Sequence, residues 1–220
     1  MSADPAVTVI LPSLNVGRYI EACLESVVAQ TLKEIEIICV DAGSTDGTQA
    51  VISDFARRDA RIRVVPSERK SYGRQLNLGL AAARGKYFCI VETDDVVLPG
   101  MCKRLYDVAE ANALDVLKSD YFLFWGGVYE GNRELRRCAA VPELYGRVVD
   151  PLADRRAFSF SINCAGLYSV RFVQSSGIRF NETPGASHQD IGFFYQVHCH
   201  ARRMAFLAEP FYLYRNYCKL

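Results

Sequence analysis

Apolar and polar positions alternate in blocks over the first half of the chain. Short apolar segments rich in β-branched residues are "VTVILP" (7–12), "EIEIICV" (34–40), "RIRVVP" (61–66) and "KYFCIV" (86–91). Runs of this length predict buried strands. The segments that follow them predict helices, with an apolar stripe at helical spacing in the first two: 16–30, 44–58, 72–85 and 100–112.

Polar clusters follow three of these predicted strands. Strands that alternate with helices are typical of a parallel sheet with helices on both faces. In such sheets, ligands bind beyond the carboxyl ends of the strands. The clusters at these ends are "SLN" (13–15), "DAGSTDG" (41–47) and "ETDD" (92–95). This coincidence predicts a binding site at that edge of the sheet, for a ligand that carries phosphate.

The second half of the chain has a less regular pattern. After residue 113, the segments 114–127 and 204–216 are strand-like, and 187–203 is amphipathic. Residues 133–159 show no sustained period. The chain contains no internal repeat and no low-complexity linker, so we expect a single domain over residues 1–220, with halves 1–112 and 113–220.

The composition excludes several classes of protein. Half of the 220 residues are hydrophobic and 23% are charged, as in ordinary globular proteins. The formal net charge of +1 gives no overall field that would recruit nucleic acid. No apolar run approaches the ~18 residues of a membrane span. The eight cysteines form no Cys-x-x-Cys pair, which favours free thiols in a reducing compartment. We therefore expect a cytoplasmic protein.

Three carboxylates crowd into the four residues "ETDD" after the fourth predicted strand. Asp94 and Asp95 could share a hard divalent cation, Mg²⁺ or Mn²⁺, which would neutralise their mutual repulsion. The alternative is a solvated acidic turn that caps the helix beginning near Pro99. The polar clusters after the other strands favour the metal site.

Asp41 directly follows the second predicted strand. Its carboxylate could accept hydrogen bonds from a nucleobase or ribose, and Gly43 would let a ligand approach the backbone. The same segment could form a tight turn in which Ser44 and Thr45 cap the next helix. The chain has neither G-x-G-x-x-G nor G-x-x-x-x-G-K-[ST], so a dinucleotide fold or a P-loop is not supported.

These motifs together resemble those of the family-2 glycosyltransferases. The segments that carry the resemblance, in the family's order and spacing, are "VTVILPSLN", "VDAGSTDGT", "YGRQLNLGLAAARGKYFCIVETDD" and "LPG". Further along, "GIRFNETPGASHQDIGFFYQV" resembles the family's acceptor-side segment. The resemblance runs from about Val7 to Arg215. It implies a GT-A fold, which is Rossmann-like, with a mostly parallel sheet flanked by helices, a nucleotide-binding first half and a less regular acceptor-side second half.

The resemblance also implies roles for individual residues. Asp94 and Asp95 would hold the cation beside the diphosphate, and Asp190 would be the general base that deprotonates the acceptor hydroxyl. Arg74 would supply positive charge, because "QLN" stands where the family commonly has "ARN". The nucleotide-binding positions are Pro12, Ser13, Asn15, Asp41, Arg74, Asn77, Glu92, Thr93 and Asp94. The departures are at Leu14, Ala42, Glu92 and Gln189, where the family often has Tyr, Asp, Asp and Glu.

The implied function is inverting, metal-dependent transfer of a sugar from a nucleotide-sugar, with a UDP-sugar favoured, to a hydroxyl acceptor. The resemblance implies a saccharide or lipid-linked acceptor, peripheral association with the inner membrane face, and a role in cell-surface polysaccharide or glycolipid synthesis. Family members often continue beyond the position of Leu220, where an acceptor or membrane segment would lie. Two alternatives stay open: a sugar-phosphate nucleotidyltransferase, and a non-catalytic nucleotide-sugar-binding protein.

Overall fold

The computed structural model describes residues 4–127, 131–158 and 162–217. Its strands are β1 Val7–Ser13, β2 Ile35–Asp41, β3 Ile62–Pro66, β4 Tyr87–Ile90, β5 Val96–Val97, β6 Val116–Trp125, β7 Asn132–Arg136, β8 Val148–Val149, β9 Gly166–Ser169 and β10 Met204–Arg215. Its helices are α1 Ile20–Val28, α2 Thr48–Arg58, α3 Tyr72–Ala82, α4 Met101–Ala111, α5 Val170–Ser175 and α6 Gln189–His200. The alternation of strands and helices predicted for the first half is confirmed.

The strands form one mixed sheet in the order β3-β2-β1-β4-β9-β6-β10-β5, with β7 beside β6 and β8 beside β10. The neighbours β3, β2, β1 and β4 are parallel, as predicted. The second half adds antiparallel contacts, since β9 runs antiparallel to both β4 and β6. The irregular pattern of that half gave no indication of the short strand β9, which continues the sheet past β4.

Helix α3 lies unusually close to β1. A Cβ atom at Gly79 of α3 would stand 2.5 Å from Cγ2 of Ile10 in β1, so a larger residue would push the helix away from the sheet. Residues of β1 and β2 are buried along their whole length, which explains their nearly continuous apolar sequence. Nearer its N-terminal end, α3 is held beside the carboxyl end of β1, because Nε2 of Gln75 donates to the backbone carbonyl oxygen of Ser13 at 2.7 Å.

The main cluster of buried side chains draws on both halves of the chain. It contains Val9 and Phe88 from the first half and Leu117, Phe193 and Tyr212 from the second. Interiors of this kind are close-packed and resist deformation. The carboxyl edge of the sheet therefore rests on a common core, and side chains from both halves can be held there at fixed distances.

The cysteines and the start of helix α2 are both the subject of predictions from the sequence. The seven described cysteines are free, six of them buried and Cys199 exposed, as predicted; Cys218 lies outside the described residues. The prediction that Ser44 and Thr45 cap α2 is wrong, because the helix begins at Thr48 after Gly47. Among the described helices, none has both the length and the apolar character to cross a membrane.

Candidate active site

The carboxyl ends of β1, β2 and β4 meet at one edge of the sheet. In the strand register, Ser13 at the end of β1 lies opposite Asp41 at the end of β2. Strand β4 runs on the other side of β1. Just beyond β4, Thr93 donates a hydrogen bond from Oγ1 to the carbonyl oxygen of Pro12 at 2.8 Å. The three polar clusters noted in the sequence therefore lie side by side.

Asn15 and Asp41 fasten the loops after β1 and β2 to each other. Asn15 adopts a left-handed backbone conformation, with φ at 53°, and its N–H donates to Ser44 Oγ at 2.9 Å. Asp41 accepts four hydrogen bonds of 2.5 to 3.1 Å, from the N–H of Gly43, the N–H and hydroxyl of Ser44 and the amide of Gln49. The Oδ1 atom of Asn15 also accepts the N–H of Thr45 at 2.9 Å, so both side chains organise these two loops.

A cavity of about 250 Å³ opens beside Asp41. Its other walls include Gln49, Ile52 and Pro66. Apolar walls with few polar groups are typical of sites for flat, partly polar ligands such as nucleobases. Asp41 is only 5% exposed, so it would meet such a ligand with one edge of its carboxylate.

A second cavity, here called the carboxylate cavity, has a volume of about 320 Å³ and lies between the two halves of the chain. One wall is the segment after β4, and the opposite wall is the segment that leads into α6. The lining residues are Tyr72, Glu92, Asp94, Asp95, Ile162, Asn163, Cys164, Ala186, His188, Gln189, Asp190 and Tyr214. The structure therefore brings Asp94 and Asp190, which are far apart in sequence, to one cavity.

Glu92 lies at the base of the carboxylate cavity and is fixed from two sides. The hydroxyl of Tyr72 and the thiol of Cys164 both donate to its Oε1, the latter at 3.4 Å. Its backbone N–H donates to the hydroxyl of Tyr212 at 3.0 Å. Burial raises the pKa of Glu92 to about 7, although the hydrogen bonds from Tyr72 and Cys164 act to lower it. This carboxyl group can therefore exchange a proton near neutral pH.

Asp94 and Asp95 have different surroundings. Asp95 is 2% exposed; its Oδ1 accepts the N–H of Arg215 and its Oδ2 accepts the hydroxyl of Tyr212, both at 2.7 Å. Burial, together with the charge of Asp94, raises the pKa of Asp95 well above its usual value. Asp94 is half-buried, and of its two carboxylate oxygens only Oδ2 is bonded within the described residues, accepting the hydroxyl of Tyr217 at 2.6 Å. Asp95 thus anchors β10, while Asp94 keeps an oxygen available.

This difference bears on the predicted cation. The described residues contain no group of three or more His, Cys, Asp or Glu side chains that could hold a metal ion. Mg²⁺ in phosphate-transfer sites is often held by one or two carboxylates together with substrate phosphates and water. Asp94 fits such an arrangement as a single protein ligand. The buried Asp95, with both oxygens engaged, does not fit it as a second.

A third cavity, here called the lysine cavity, adjoins the carboxylate cavity and measures about 250 Å³. The exposed Lys70 lines this cavity together with Thr93 and Asp94. The lining residues are Pro12, Leu14, Val16, Lys70, Ser71, Tyr72, Gln75, Glu92, Thr93, Asp94, Gly185 and Ala186. Four residues are common to both cavities, so a ligand can extend from one into the other: Tyr72, Glu92, Asp94 and Ala186.

Arg74 and Asn77 of α3 connect to the segment before α6. Arg74 forms ion pairs with Glu68 at 2.8 Å and Glu182 at 3.5 Å. Asn77 donates from Nδ2 to the carbonyl oxygen of Phe180 at 2.9 Å and to Glu182 Oε1 at 3.0 Å, and accepts the N–H of Phe180. Their roles toward a nucleotide stay predictions. Lys70, rather than Arg74, places a cation on the cavity wall.

Asn163 is a cavity residue that the sequence reasoning missed. It is 4% exposed, and its Nδ2 has no hydrogen-bond partner within the described part of the chain. Its backbone carbonyl oxygen accepts hydrogen bonds from Lys118 Nζ at 3.3 Å and from the hydroxyl of Tyr168 at 2.9 Å. Burial lowers the pKa of Lys118 to about 8. The available signal was Lys118 itself, a lysine inside the apolar segment "LDVLKSDYF".

Comparison with known proteins agrees with this geometry. The sequence model described as glycosyl transferase family 2 matches residues 8–175. The uncharacterized glycosyltransferase EpsJ of Bacillus subtilis is 33% identical over 219 residues, which cover 96% of this chain and 61% of EpsJ. Glycosyltransferase GlyG of Streptococcus pneumoniae is 30% identical over 217 residues, which cover 96% of this chain and 70% of GlyG. The chain thus spans about two thirds of the length of these relatives.

Solved structures show the same fold. TarS of S. aureus in complex with UDP-GlcNAc superposes with a TM-score of 0.77 at 22% identity, covering 97% of this chain and 59% of that structure. The mannosyltransferase PcManGT of Pyrobaculum calidifontis, in complex with GDP-Man and Mn²⁺, gives 0.65 at 16% identity, covering 98% of this chain and 57% of that structure. The predicted GT-A fold is confirmed, and the chain belongs to glycosyl transferase family 2.

Proposed function

We propose that the protein transfers a sugar, with inversion, from a nucleotide-sugar to a hydroxyl acceptor in a metal-dependent reaction. The observation that carries this proposal is the placement of Asp94 and Asp190 in one cavity of about 320 Å³. Displacement of a nucleoside diphosphate needs stabilisation of charge on the leaving group and a base near the attacking oxygen. The two walls of the carboxylate cavity supply groups suited to these two needs.

The proposed donor is a UDP-sugar that occupies the carboxylate cavity and the lysine cavity. Its diphosphate would lie in the lysine cavity, which Lys70, Thr93 and Asp94 help to line, and its base would rest toward Asp41. TarS has been solved with UDP-GlcNAc and PcManGT with GDP-Man, so the fold accepts either class of nucleotide. Leu14, which lines the lysine cavity, offers an apolar contact where the family often has Tyr.

A divalent cation, Mg²⁺ or Mn²⁺, would be held by Asp94 and by the diphosphate. When bound, such an ion neutralises charge that develops on a phosphate leaving group. Asp95 would support this site indirectly, since its bonds to Tyr212 and Arg215 fix the backbone that follows β4. PcManGT, which shares the fold, has been solved with Mn²⁺.

Asp190 would take the proton from the acceptor hydroxyl. As that oxygen forms a bond to the anomeric carbon, the bond from the same carbon to the diphosphate oxygen breaks, and the configuration inverts. The acceptor must therefore enter from the α6 side, between Asp190 and Asn163. A saccharide or lipid-linked hydroxyl, as in polysaccharide or glycolipid synthesis at the membrane face, is the proposed acceptor class.

The test is release of nucleoside diphosphate from a panel of nucleotide-sugars, with and without Mn²⁺, for the wild-type protein and Asp190→Asn. Water serves as the acceptor in this assay. We expect Mn²⁺-dependent release that Asp190→Asn lowers by about 10² to 10⁴-fold, while nucleotide affinity is retained. Pyrophosphate release from a nucleoside triphosphate would instead support a nucleotidyltransferase. Nucleotide binding without any turnover would support a non-catalytic binding protein.

A further inference from the structure

Gln189 lies directly before Asp190 and is 3% exposed. At this position the resembled family often has Glu, so the sequence by itself reads as a lost acidic group. We propose that Gln189 is a positioning residue, which fixes the loop 183–187 and thereby aligns Asp190 with Glu92 across the carboxylate cavity. This inference rests on the proposed function.

The side-chain amide of Gln189 bonds to three residues of the loop 183–187. Its Nε2 lies within hydrogen-bond distance of the carbonyl oxygen of Thr183 at 3.2 Å, of Thr183 Oγ1 at 2.9 Å and of the carbonyl oxygen of Gly185 at 3.0 Å. Its Oε1 accepts the N–H of Ser187 at 2.6 Å. One buried side chain thus satisfies backbone groups at both ends of the loop.

These contacts require an amide rather than a carboxylate. The carbonyl oxygens of Thr183 and Gly185 can only accept, so they need a donor, whereas the N–H of Ser187 needs an acceptor. Glu at position 189 would satisfy Ser187 but would place a charged oxygen against two carbonyl oxygens. Thr183 and Gly185 would each lose one donated hydrogen bond, and Gly185 would keep only the bond from the N–H of Tyr72. The residue that the family often carries is therefore the wrong one for this loop.

The loop 183–187 is hydrogen-bonded in turn to the segment that begins helix α3. Gly185 donates its N–H to the carbonyl oxygen of Lys70 at 2.8 Å, and its own carbonyl oxygen accepts the N–H of Tyr72 at 3.0 Å. The hydroxyl of Tyr72 in turn donates to Glu92. A continuous series of hydrogen bonds therefore runs from Gln189 through Gly185 and Tyr72 to Glu92.

The position of Gln189 also determines the position of Asp190. Helix α6 begins at Gln189, and its N-cap residue His188 has a left-handed conformation, with φ at 57°, and makes no side-chain capping bond. The first turn of α6 therefore gains its fixed position from Gln189 rather than from a cap. Since Asp190 is the next residue, its direction into the cavity depends on the same amide.

The experiment compares Gln189→Glu with Gln196→Glu. Gln196 is on the same helix and also bonds backbone groups, those of Arg179, at 2.9 and 3.2 Å, but it lies away from the cavity. We expect Gln189→Glu to lower kcat by about 10- to 100-fold, with KM for the nucleotide-sugar changed less than threefold, because the base is misplaced while donor binding persists. Gln196→Glu should leave kcat near that of the wild type.

Amide hydrogen exchange provides the second readout, which does not depend on turnover. Exchange of residues 183–187 should become at least tenfold faster in Gln189→Glu and in the uncharged variant Gln189→Met, which serves if the carboxylate prevents folding. Wild-type kcat in Gln189→Glu, or unchanged exchange in both variants, would overturn the proposal. A wild-type protein without turnover but with a Gln189-dependent loop would overturn the proposed function and leave Gln189 as a structural residue only.

Discussion

Several polar side chains at the carboxylate cavity are largely shielded from solvent. Glu92, with a pKa of about 7, lies beside the buried Cys164 and Asn163. The amide nitrogen of Asn163 is without a partner in the described part of the chain, whereas most buried polar groups are hydrogen-bonded. The nitrogen itself is shielded from solvent, so it could donate to a sugar hydroxyl in the cavity only after the side chain changes rotamer.

Replacing Asn163 with Leu should separate stability from activity. The change removes an unpaired buried amide, so the free energy of unfolding should stay constant or rise by about 1 kcal/mol. KM for the nucleotide-sugar should rise about tenfold, the equivalent of one lost hydrogen bond. Denaturant unfolding and initial rates measure the two quantities.

Ser119 provides the matched control for this variant. Its hydroxyl is buried and unpartnered within the described residues, like the amide of Asn163, but it lies on β6 rather than on the cavity wall. Ser119→Ala should leave KM unchanged. If Asn163→Leu also left KM for the nucleotide-sugar unchanged, the amide would not contact the donor.

Among the elements, helix α6 joins the candidate active site to the core. Its first turn carries Asp190, while its last turn buries His198 between Phe158 and Phe194. Nδ1 of His198 donates to the carbonyl oxygen of Phe194 at 2.8 Å, which fixes the neutral tautomer. Burial lowers the pKa of His198 to about 4, and the nearby Lys118 acts in the same direction.

This buried histidine predicts acid sensitivity. Between pH 6.5 and pH 4 the unfolded chain binds a proton at His198 that the folded chain does not, so stability falls as the pH falls. The shift from 6.5 to about 4 corresponds to a loss of about 3 kcal/mol. Urea unfolding at pH 7 and pH 4.5 should show a smaller loss for His198→Leu than for the wild type.

His200, exposed on the same helix, is the control. His200→Gln should keep the wild-type dependence on pH, because this substitution leaves the buried His198 and its surroundings unchanged. Equal dependence on pH in the wild type and His198→Leu would show that His198 titrates normally when folded.

Across the whole molecule, α3 and the segment before α6 clamp the two halves together. Gly73 permits this contact, since a Cβ atom there would stand 1.9 Å from the carbonyl oxygen of Asn181. Gly73→Ala should therefore destabilise the protein by about 1 to 3 kcal/mol.

Gly192 of α6 is the control. A Cβ atom at Gly192 would have no heavy atom within 4 Å, so Gly192→Ala should stabilise the protein by about 0.5 to 1 kcal/mol. Thermal unfolding of both variants measures the difference; equal effects would contradict the clamp.

The first half of the fold follows from the sequence because its strands are short, apolar and separated by periodic helices. The carboxyl edge of a parallel sheet then places Asp41, Thr93 and Asp94 together without any knowledge of side-chain contacts. The positions of Asn163, Cys164 and Gln189 could not be predicted in this way, because they depend on long-range contacts from irregular segments. The separate surroundings of Asp94 and Asp95 likewise depend on Tyr212 and Arg215, more than a hundred residues away in sequence.

The central claim is that Asp94 holds the cation through which this edge of the sheet binds a nucleoside diphosphate. The most direct measurement is calorimetric titration with UDP, with and without Mn²⁺, of the wild type, Asp94→Asn and Asp95→Asn. We predict Mn²⁺-dependent binding in the wild type, retention of that dependence in Asp95→Asn, and its loss in Asp94→Asn. Binding by Asp94→Asn with the wild-type dependence on Mn²⁺, or wild-type affinity that ignores the metal, would contradict the claim.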